Sequence, residues 1–327
     1  MKAIVVKQPC TPDQLSPTEV EAPVCGPDQV IIQIYATALN RADLLQRRGK
    51  YPPPPGESDI LGLECAGVVS SVGAAVTTVR PGDRVMALLG SGGYAEQVAV
   101  HHSMAIPVPA GMSLTQAAAI PEAFLTAREA LFTLGRLDSG SRVLVHAAAG
   151  GVGSAAVQLA KAIGAEVYAT ASAAKLPQVL ELGAHVAIDY RSEDFAAIIA
   201  ERTQKKGVDV ILDFIGASYF EQHTKCLKSG GRLVVIGVMC GPTVTLNLET
   251  LLFKRHQILG LFMRSRSLAN KAAITSSFIH ESLPLFSQGL CRPLVDSVFP
   301  FSEVGRAHER MEQNENVGKI VLQVRPE

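Results

Sequence analysis

The stretch Ser141-Arg-Val-Leu-Val-His-Ala-Ala-Ala-Gly-Gly-Val-Gly-Ser154 has the residue types of an anion site. An apolar run turns through glycines into a helical pattern, and the N–H groups that open a helix can meet a pyrophosphate only where side chains are absent. Gly150 and Gly153 fill the last two places of a G-x-G-x-x-G frame, with Ala148 in the first, a departure that implies a different turn. The candidate phosphate contacts are Ala149, Gly150, Gly151, Val152 and Gly153. After the next strand-like run, where an acidic residue would hold a ribose 2′-hydroxyl, stands Thr170-Ala-Ser-Ala-Ala-Lys175. A carboxylate there would repel a 2′-phosphate, whereas Ser172 can donate a hydrogen bond to it and Lys175 can supply charge, so NADPH is expected over NADH. Tyr190, after the third run, is placed to reach the same ribose phosphate or the adenine. Two plainer readings stand beside these: glycines that serve only close strand–helix packing, and Lys175 with Arg191 as solvated charges.

Metal chemistry finds little support. Cys10, Cys25, Cys65, Cys226, Cys240 and Cys291 stand apart with no C-x-x-C pair, which argues against a zinc ribbon or a disulfide framework and for a reducing compartment. Cys65 reads as a small core residue, and the adjacent His101-His102 lacks ligand spacing. With 30 basic and 30 acidic residues, the formal net charge of 0 gives no field to concentrate the chain on nucleic acid or an anionic membrane. The N-terminal Met1-Lys-Ala-Ile-Val-Val-Lys7 is too short for a signal h-region, and no later run spans a bilayer. A cytoplasmic enzyme is expected, with no nucleic-acid or membrane partner.

The elements that must position these groups divide by texture. Up to about Met112, short apolar runs such as Val30-Ile-Ile-Gln-Ile-Tyr35 and Ala66-Gly-Val-Val-Ser-Ser-Val72 alternate with Pro and Gly, as in a β-rich, barrel-like domain. Tyr51-Pro-Pro-Pro-Pro-Gly56 has four successive residues without a backbone donor and predicts a stiff extended loop. Past Leu114 the chain becomes alanine-rich helix and then alternates strand with helix up to Gly237, the pattern of a parallel sheet covered on both faces. Val152, Ala156, Leu159 and Ile163 share one helical face, which would seat the helix after the glycines on that sheet. From about Ser265 the texture is mixed again, ending in Lys319-Ile-Val-Leu-Gln-Val324, which should rejoin the first domain. The expected organisation is α/β, in segments 1–122, 123–264 and 265–327.

The run from Gly140 to Lys161, with Asn40-Arg-Ala-Asp-Leu44, Gly62-Leu-Glu-Cys-Ala-Gly67, Gly92-Gly-Tyr-Ala-Glu96, Ala118-Ala-Ile-Pro-Glu122 and Gly318-Lys-Ile-Val321, resembles the quinone oxidoreductases of the medium-chain dehydrogenase/reductase superfamily. The resemblance extends over essentially the whole chain. It implies a GroES-like β-rich catalytic domain at residues 1–122, completed by 265–327, and a doubly wound Rossmann domain at 123–264 that binds NADPH. It also implies independence of zinc, because zinc-dependent members carry Gly-His-Glu where this chain has Gly62-Leu-Glu64, and Leu63 cannot ligate. Without a Lewis acid, an electron-poor acceptor such as a quinone or an enone is the natural partner for a hydride. Tyr51 and Asn40 are the implied hydrogen-bond donors to the developing oxyanion; Tyr51 packed on the prolines is the alternative. Thr126, Gly216, Gly237, Phe262, Arg264 and Lys319 are implied cofactor contacts, with an exposed cation as the other reading of Arg264 and of Lys319. A homodimer is implied through Leu246-Asn-Leu-Glu-Thr-Leu-Leu-Phe253 and Ile258-Leu-Gly-Leu-Phe262, residues that buried core would explain as well. An enone double-bond reductase, or a slow NADPH-binding structural or sensor protein, remain as alternatives to a quinone reductase.

Overall fold

The computed structural model describes all residues, 1–327. The N-terminal part contributes strands β1 (Lys2–Ala3), β2 (Thr18–Glu19), β3 (Gln29–Ala38), β4 (Glu64–Val72), β5 (Arg84–Leu88), β6 (Gln97–His101) and β7 (Ile106–Pro107). Helix α1 (Arg41–Arg47) follows β3, and α2 (Leu114–Ala117) and α3 (Pro121–Arg128) follow β7. Strands β8 (Arg142–Val145), β9 (Glu166–Ala171), β10 (Val186–Asp189), β11 (Val208–Asp213), β12 (Leu227–Val235) and β13 (Gln257–Gly260) come next. Between them run α4 (Gly151–Ala162), α5 (Leu176–Leu182), α6 (Phe195–Arg202), α7 (Phe220–Cys226) and α8 (Leu248–Lys254). The chain ends with α9 (Leu268–Ser277), α10 (Pro284–Ser287), β14 (Val295–Pro300), α11 (Val304–Glu312) and β15 (Lys319–Gln323).

Two compact units result. One holds Met1–Leu125, Met263–Gln288 and Arg292–Glu327, and the other Thr126–Phe262 with Gly289–Cys291. The chain thus crosses between them after Leu125 and Phe262, and again around the short piece Gly289–Cys291, beside the expected bounds of 122 and 264. Arg264 consequently belongs to the first unit.

In the first unit a seven-stranded sheet has the order β14-β15-β3-β4-β5-β7, with β6 paired to β3. Apart from the parallel β14–β15 pair, its pairings are antiparallel. Register shifts between Ile31 and Ile32 and between Ile34 and Ala36 bend β3 against β4, as bulges do where a sheet curls. Gly67 allows the close approach: a Cβ there would sit 2.0 Å from the Gln33 carbonyl oxygen. The C-terminal β15 pairs with β3 through Val321 opposite Ala38, so the tail of the chain completes this unit. Ile4, Leu39, Leu61, Tyr94, Val304, Ile320 and Leu322 form its core.

In the second unit six strands pair in parallel in the order β10-β9-β8-β11-β12-β13. This is the doubly wound dinucleotide-binding order, in which the chain reverses direction between β8 and β11. A crevice forms outside the carboxyl ends of the strands at such a reversal, and the glycine loop after β8 and the Gly216 loop after β11 lie there. Leu144, Tyr168, Ile188, Phe195, Ile199 and Ile211 pack the core. β13 is the outer strand of the sheet, with Ile258 partly exposed beside α8, whose Leu248, Leu252 and Phe253 are each about two-thirds exposed or more. Buried core therefore does not account for these apolar residues.

Candidate active site

The glycine loop hangs from a buried polar anchor that sequence reasoning missed. His146, directly after β8, places Nδ1 2.9 Å from Thr170 Oγ1 at the end of β9 and Nε2 3.0 Å from Nε2 of His223 on α7. Burial pushes both imidazoles down, His223 to about 3, so the pair is neutral and one ring donates to the lone pair of the other. The left-handed residue of the turn is Ala147, at φ 46°, so the departure from the glycine frame at Ala148 leaves the tight turn one residue earlier. Gly150 then stands in extended conformation as the cap of α4, and the Gly150 amide donates to Ala147 O at 2.9 Å. The first amides of α4, on Gly151, Val152 and Gly153, have no acceptor within the helix. Gly153 lets the helix close on the strand: a Cβ would lie 2.3 Å from Ala147 O.

The neighbouring loop is shaped by Asp213. Its carboxylate accepts from Ile215 N at 2.8 Å and Gly216 N at 3.1 Å, and its backbone oxygen accepts from Gly237 N at 3.2 Å. Gly216 takes the left-handed φ of 86° that this turn requires. Thr126 is buried with its Oγ1 unpartnered, a vacancy that an amide or carbonyl of a nicotinamide ring would satisfy. Ser172 precedes a single helical turn that ends at Lys175, and both side chains are half-buried. Tyr190 is 42 % exposed, with the Arg191 guanidinium 5.7 Å from its ring centre. Asp189, at the end of β10, bonds Ser192 Oγ at 2.7 Å and the Arg191 amide at 3.2 Å, and these bonds hold its carboxyl low.

In the first unit, Asn40 and Lys319 meet Glu64, and Asp43 and Glu122 lie close to Tyr51; the three acidic residues belong to motifs of the resemblance in which they were given no role. Lys319 is buried, and its Nζ donates to Leu39 O at 2.7 Å, Asn40 Oδ1 at 2.6 Å and Glu64 Oε1 at 2.7 Å. The reading of Lys319 as an exposed cation does not describe this buried ammonium. Asn40 Nδ2 donates to Glu64 Oε1 at 2.8 Å, and the Glu122 amide at the start of α3 donates to Glu64 Oε2 at 2.9 Å. Asn40 thus has its amide committed to the pair, and it caps α1, where Asp43 Oδ2 accepts from its backbone N–H at 2.7 Å. Asp43 is fully buried, takes a further bond from Tyr94 OH at 3.2 Å, and is pushed up to about 6 chiefly by desolvation.

Glu122 is pushed higher, to about 7, by desolvation first and by the Glu64 carboxylate second, against the pull of Lys319 and Arg264. Tyr51 is half-buried, and desolvation, helped by Glu122 and opposed by Arg264, raises its phenol to about 12. The phenol therefore keeps its proton at neutral pH. The Arg264 guanidinium sits 4.9 Å from the Tyr51 ring centre. Arg264 is itself buried, not an exposed cation, and donates to Gly90 O, Tyr51 O and Gln46 Oε1. Phe262, last residue of the second unit after β13, is 52 % exposed.

The positions at which zinc-dependent enzymes hold their metal do not fit one here. Leu63 and Cys65 are buried in the core, with burial pushing the Cys65 thiol up and away from the thiolate that a metal needs. The Asn40 and Glu64 oxygens are taken by Lys319, and no group of three or more His, Cys, Asp or Glu side chains converges anywhere in the chain.

Residues 26–110 match the alcohol dehydrogenase GroES-like domain family, and residues 151–277 the zinc-binding dehydrogenase family. The human synaptic vesicle membrane protein VAT-1 homolog is 36% identical over 320 residues, covering 93% of this chain and 81% of that protein. A quinone oxidoreductase of Pseudomonas syringae pv. Tomato DC3000 superposes with a TM-score of 0.89 at 30% identity, covering 98% of this chain and 99% of that one. The CurK enoyl reductase superposes with a TM-score of 0.88 at 32% identity and covers 98% of each chain. The chain belongs to the medium-chain dehydrogenase/reductase superfamily. It is an oxidoreductase that uses a nicotinamide cofactor on small-molecule substrates, with a GroES-like unit and a Rossmann unit. No helix is long and apolar enough to cross a membrane.

Glu122 makes stability depend on pH. Its folded pKa of about 7 lies above the usual 4.5, so the native state holds a proton that the unfolded chain has released. The associated stability is complete below about pH 4.5 and is lost as pH rises through about 7, on the order of 1–3 kcal/mol. Glu122→Gln should therefore stabilise the protein at pH 8 and leave it nearly unchanged at pH 4.5, as read from urea midpoints. Equal shifts at both values would contradict the account.

Proposed function

We propose that the protein is an NADPH-dependent quinone reductase that works without zinc. The observation that carries this reading is Tyr51: a phenol held protonated, half-buried, at the edge of a cluster in which a lysine takes up the oxygens that a metal would need. The bound nicotinamide supplies the hydride. A quinone that receives it develops charge on oxygen, and Tyr51 is the group that can donate a hydrogen bond and then a proton there. Asn40 holds Lys319 and Glu64 in register beside it, so its part is positioning through the pair more than direct donation. The amides of Gly151, Val152 and Gly153 and the hydroxyl of Thr126 would hold the cofactor's phosphate and carboxamide ends, with Ala149, Gly150, Gly216 and Gly237 allowing close approach. Ser172, Lys175 and Tyr190 would receive the adenosine 2′-phosphate.

The segments Tyr51-Pro-Pro-Pro-Pro-Gly56, Pro121-Glu-Ala-Phe-Leu-Thr-Ala127 and Leu251-Leu-Phe-Lys-Arg255 are similar to the tumour-suppressor-inducible quinone oxidoreductase, which supports the quinone as acceptor. The similarity to CurK enoyl reductase favours a conjugated enone as the second reading, since both acceptors spread developing charge by conjugation. The apolar, exposed face of α8 and the unpaired edge of β13 support a homodimer, and a single monomeric species in sedimentation at micromolar concentration would refute it.

A panel of quinones and enones with NADPH separates the readings. Tyr51→Phe should lower kcat/KM for quinones about 10- to 100-fold with little change in NADPH affinity. Unchanged turnover would remove Tyr51 from the chemistry, and NADPH binding with no oxidation by any acceptor would favour a structural or sensing role. Lys175→Ala should weaken NADPH binding by roughly tenfold and leave NADH binding within twofold. An unchanged preference between the two would refute the 2′-phosphate assignment.

A further inference from the structure

The loop that carries Tyr51 cannot hold itself. Pro52, Pro53, Pro54 and Pro55 have no backbone N–H, so the segment can be tied down only by donors that reach its carbonyl oxygens. At its far end the Glu57 amide donates to Pro54 O at 3.0 Å, and just before it the Lys50 amide donates to Leu45 O at 2.8 Å. Between these points Arg264 supplies donors. Its Nη1 reaches Tyr51 O at 3.0 Å and Pro52 O at 3.4 Å, its Nη2 reaches Gln46 Oε1 at 2.7 Å, and its Nε reaches Gly90 O at 2.7 Å. The central carbon of the guanidinium also lies over the Tyr51 ring, 4.9 Å from its centre. One side chain thereby joins α1, the start of the proline loop and the chain just after β5.

Resting on the reading of Tyr51 as proton donor, we propose that Arg264 is a positioning residue: it fixes the backbone and ring of Tyr51 so that the phenol meets the acceptor oxygen, and it is not a ligand of the cofactor. The planar fork is what the geometry uses. Separate acceptors for Nε, Nη1 and Nη2, with an aromatic ring beside the central carbon, are a pattern that a forked guanidinium satisfies and a single ammonium does not. The donors that a cofactor phosphate or carboxamide would call on are already engaged within the first unit, and the side chain is 5 % exposed. Burial lowers the pKa of Arg264, while Tyr51, Asp43, Glu57 and Glu122 around it favour its charged form, and Lys271 is a further cation nearby.

Arg264→Met and Arg264→Lys test this in the intact protein, with three readouts. Hydrogen exchange of a peptide covering residues 45–60 should speed up at least tenfold in Arg264→Met and also in Arg264→Lys, which keeps the charge and lacks the fork. For a benzoquinone acceptor, kcat/KM should fall about 10- to 100-fold, with the NADPH dissociation constant within twofold of wild type. In a Tyr51→Phe background the same substitution should cost less than threefold, because the group it positions is gone. A tenfold or greater weakening of NADPH binding with unchanged exchange at 45–60 would make Arg264 a cofactor ligand and overturn the proposal. The full kinetic loss persisting in Tyr51→Phe would overturn it as well, since the effect would not pass through Tyr51. Should Tyr51→Phe alone leave turnover unchanged, the donor reading fails, and the exchange data still decide whether Arg264 holds the loop. If Arg264→Met does not fold, Arg264→Lys carries the same comparison.

Discussion

A lysine ammonium buried beside a carboxylate is stable only if every donor and lone pair finds a partner, and the Lys319–Glu64 pair meets that condition in full. Nζ has three acceptors in Leu39 O, Asn40 Oδ1 and Glu64, and the carboxylate in turn takes the Asn40 amide and the Glu122 backbone N–H. Five pieces of chain are joined by it: the end of β3, the cap of α1, the start of β4, the start of α3 and the first residue of β15. Because β15 comes from the last residues of the sequence, the pair forms only when the tail has paired with β3. Removing either partner would leave a bare charge in the core, which is far more damaging than the loss of a surface ion pair.

That pair also sets the electrostatics around the candidate active site. With Glu64 saturated by its bonds and Lys319 fully engaged, neither cation of the cluster donates to the Glu122 carboxyl, which stays beside other negative charge and keeps its proton near neutral pH. Asp43 is held up by the same burial, and the Tyr51 phenol is raised in turn. Near neutral pH the Tyr51 phenol therefore keeps its proton and Glu122 keeps part of its own, whereas Asp43 is mostly ionised. In the second unit the neutral His146–His223 pair plays the matching structural part, since it pins the root of the glycine loop to β9 and α7.

The parts of the molecule that were legible in the sequence are those encoded within a few residues. The glycine loop and its helix, the alternation of strand and helix through β8 to β12, the proline loop and the returning tail each carry a local signature. The strand edge at β13 was legible only as apolar sequence, because exposure depends on what packs against it. The roles of Arg264 and Glu64 were not legible, for a topological reason: Arg264 meets Tyr51 across 213 residues of chain, and Glu122 meets Glu64 across 58. Arg264 follows β13 and by resemblance reads as a cofactor contact, yet its guanidinium bonds to Gly90, Tyr51 and Gln46, loops and helix of its own unit. Lys319 likewise reads as a charge at a strand start until the end of β3 is folded over it. His146 was visible as a residue of the loop, but its partner His223 lies 77 residues away on a helix with no motif of its own.

The central proposal is that a protein-held proton donor and a buried lysine–carboxylate pair, not a metal, serve the acceptor end of this oxidoreductase. Its most direct test is single-turnover oxidation of NADPH by a benzoquinone, using protein dialysed exhaustively against a strong chelator. The account predicts full amplitude at the undialysed rate, with no gain when zinc is added back. Protein that is inert after chelation and restored by zinc would contradict it.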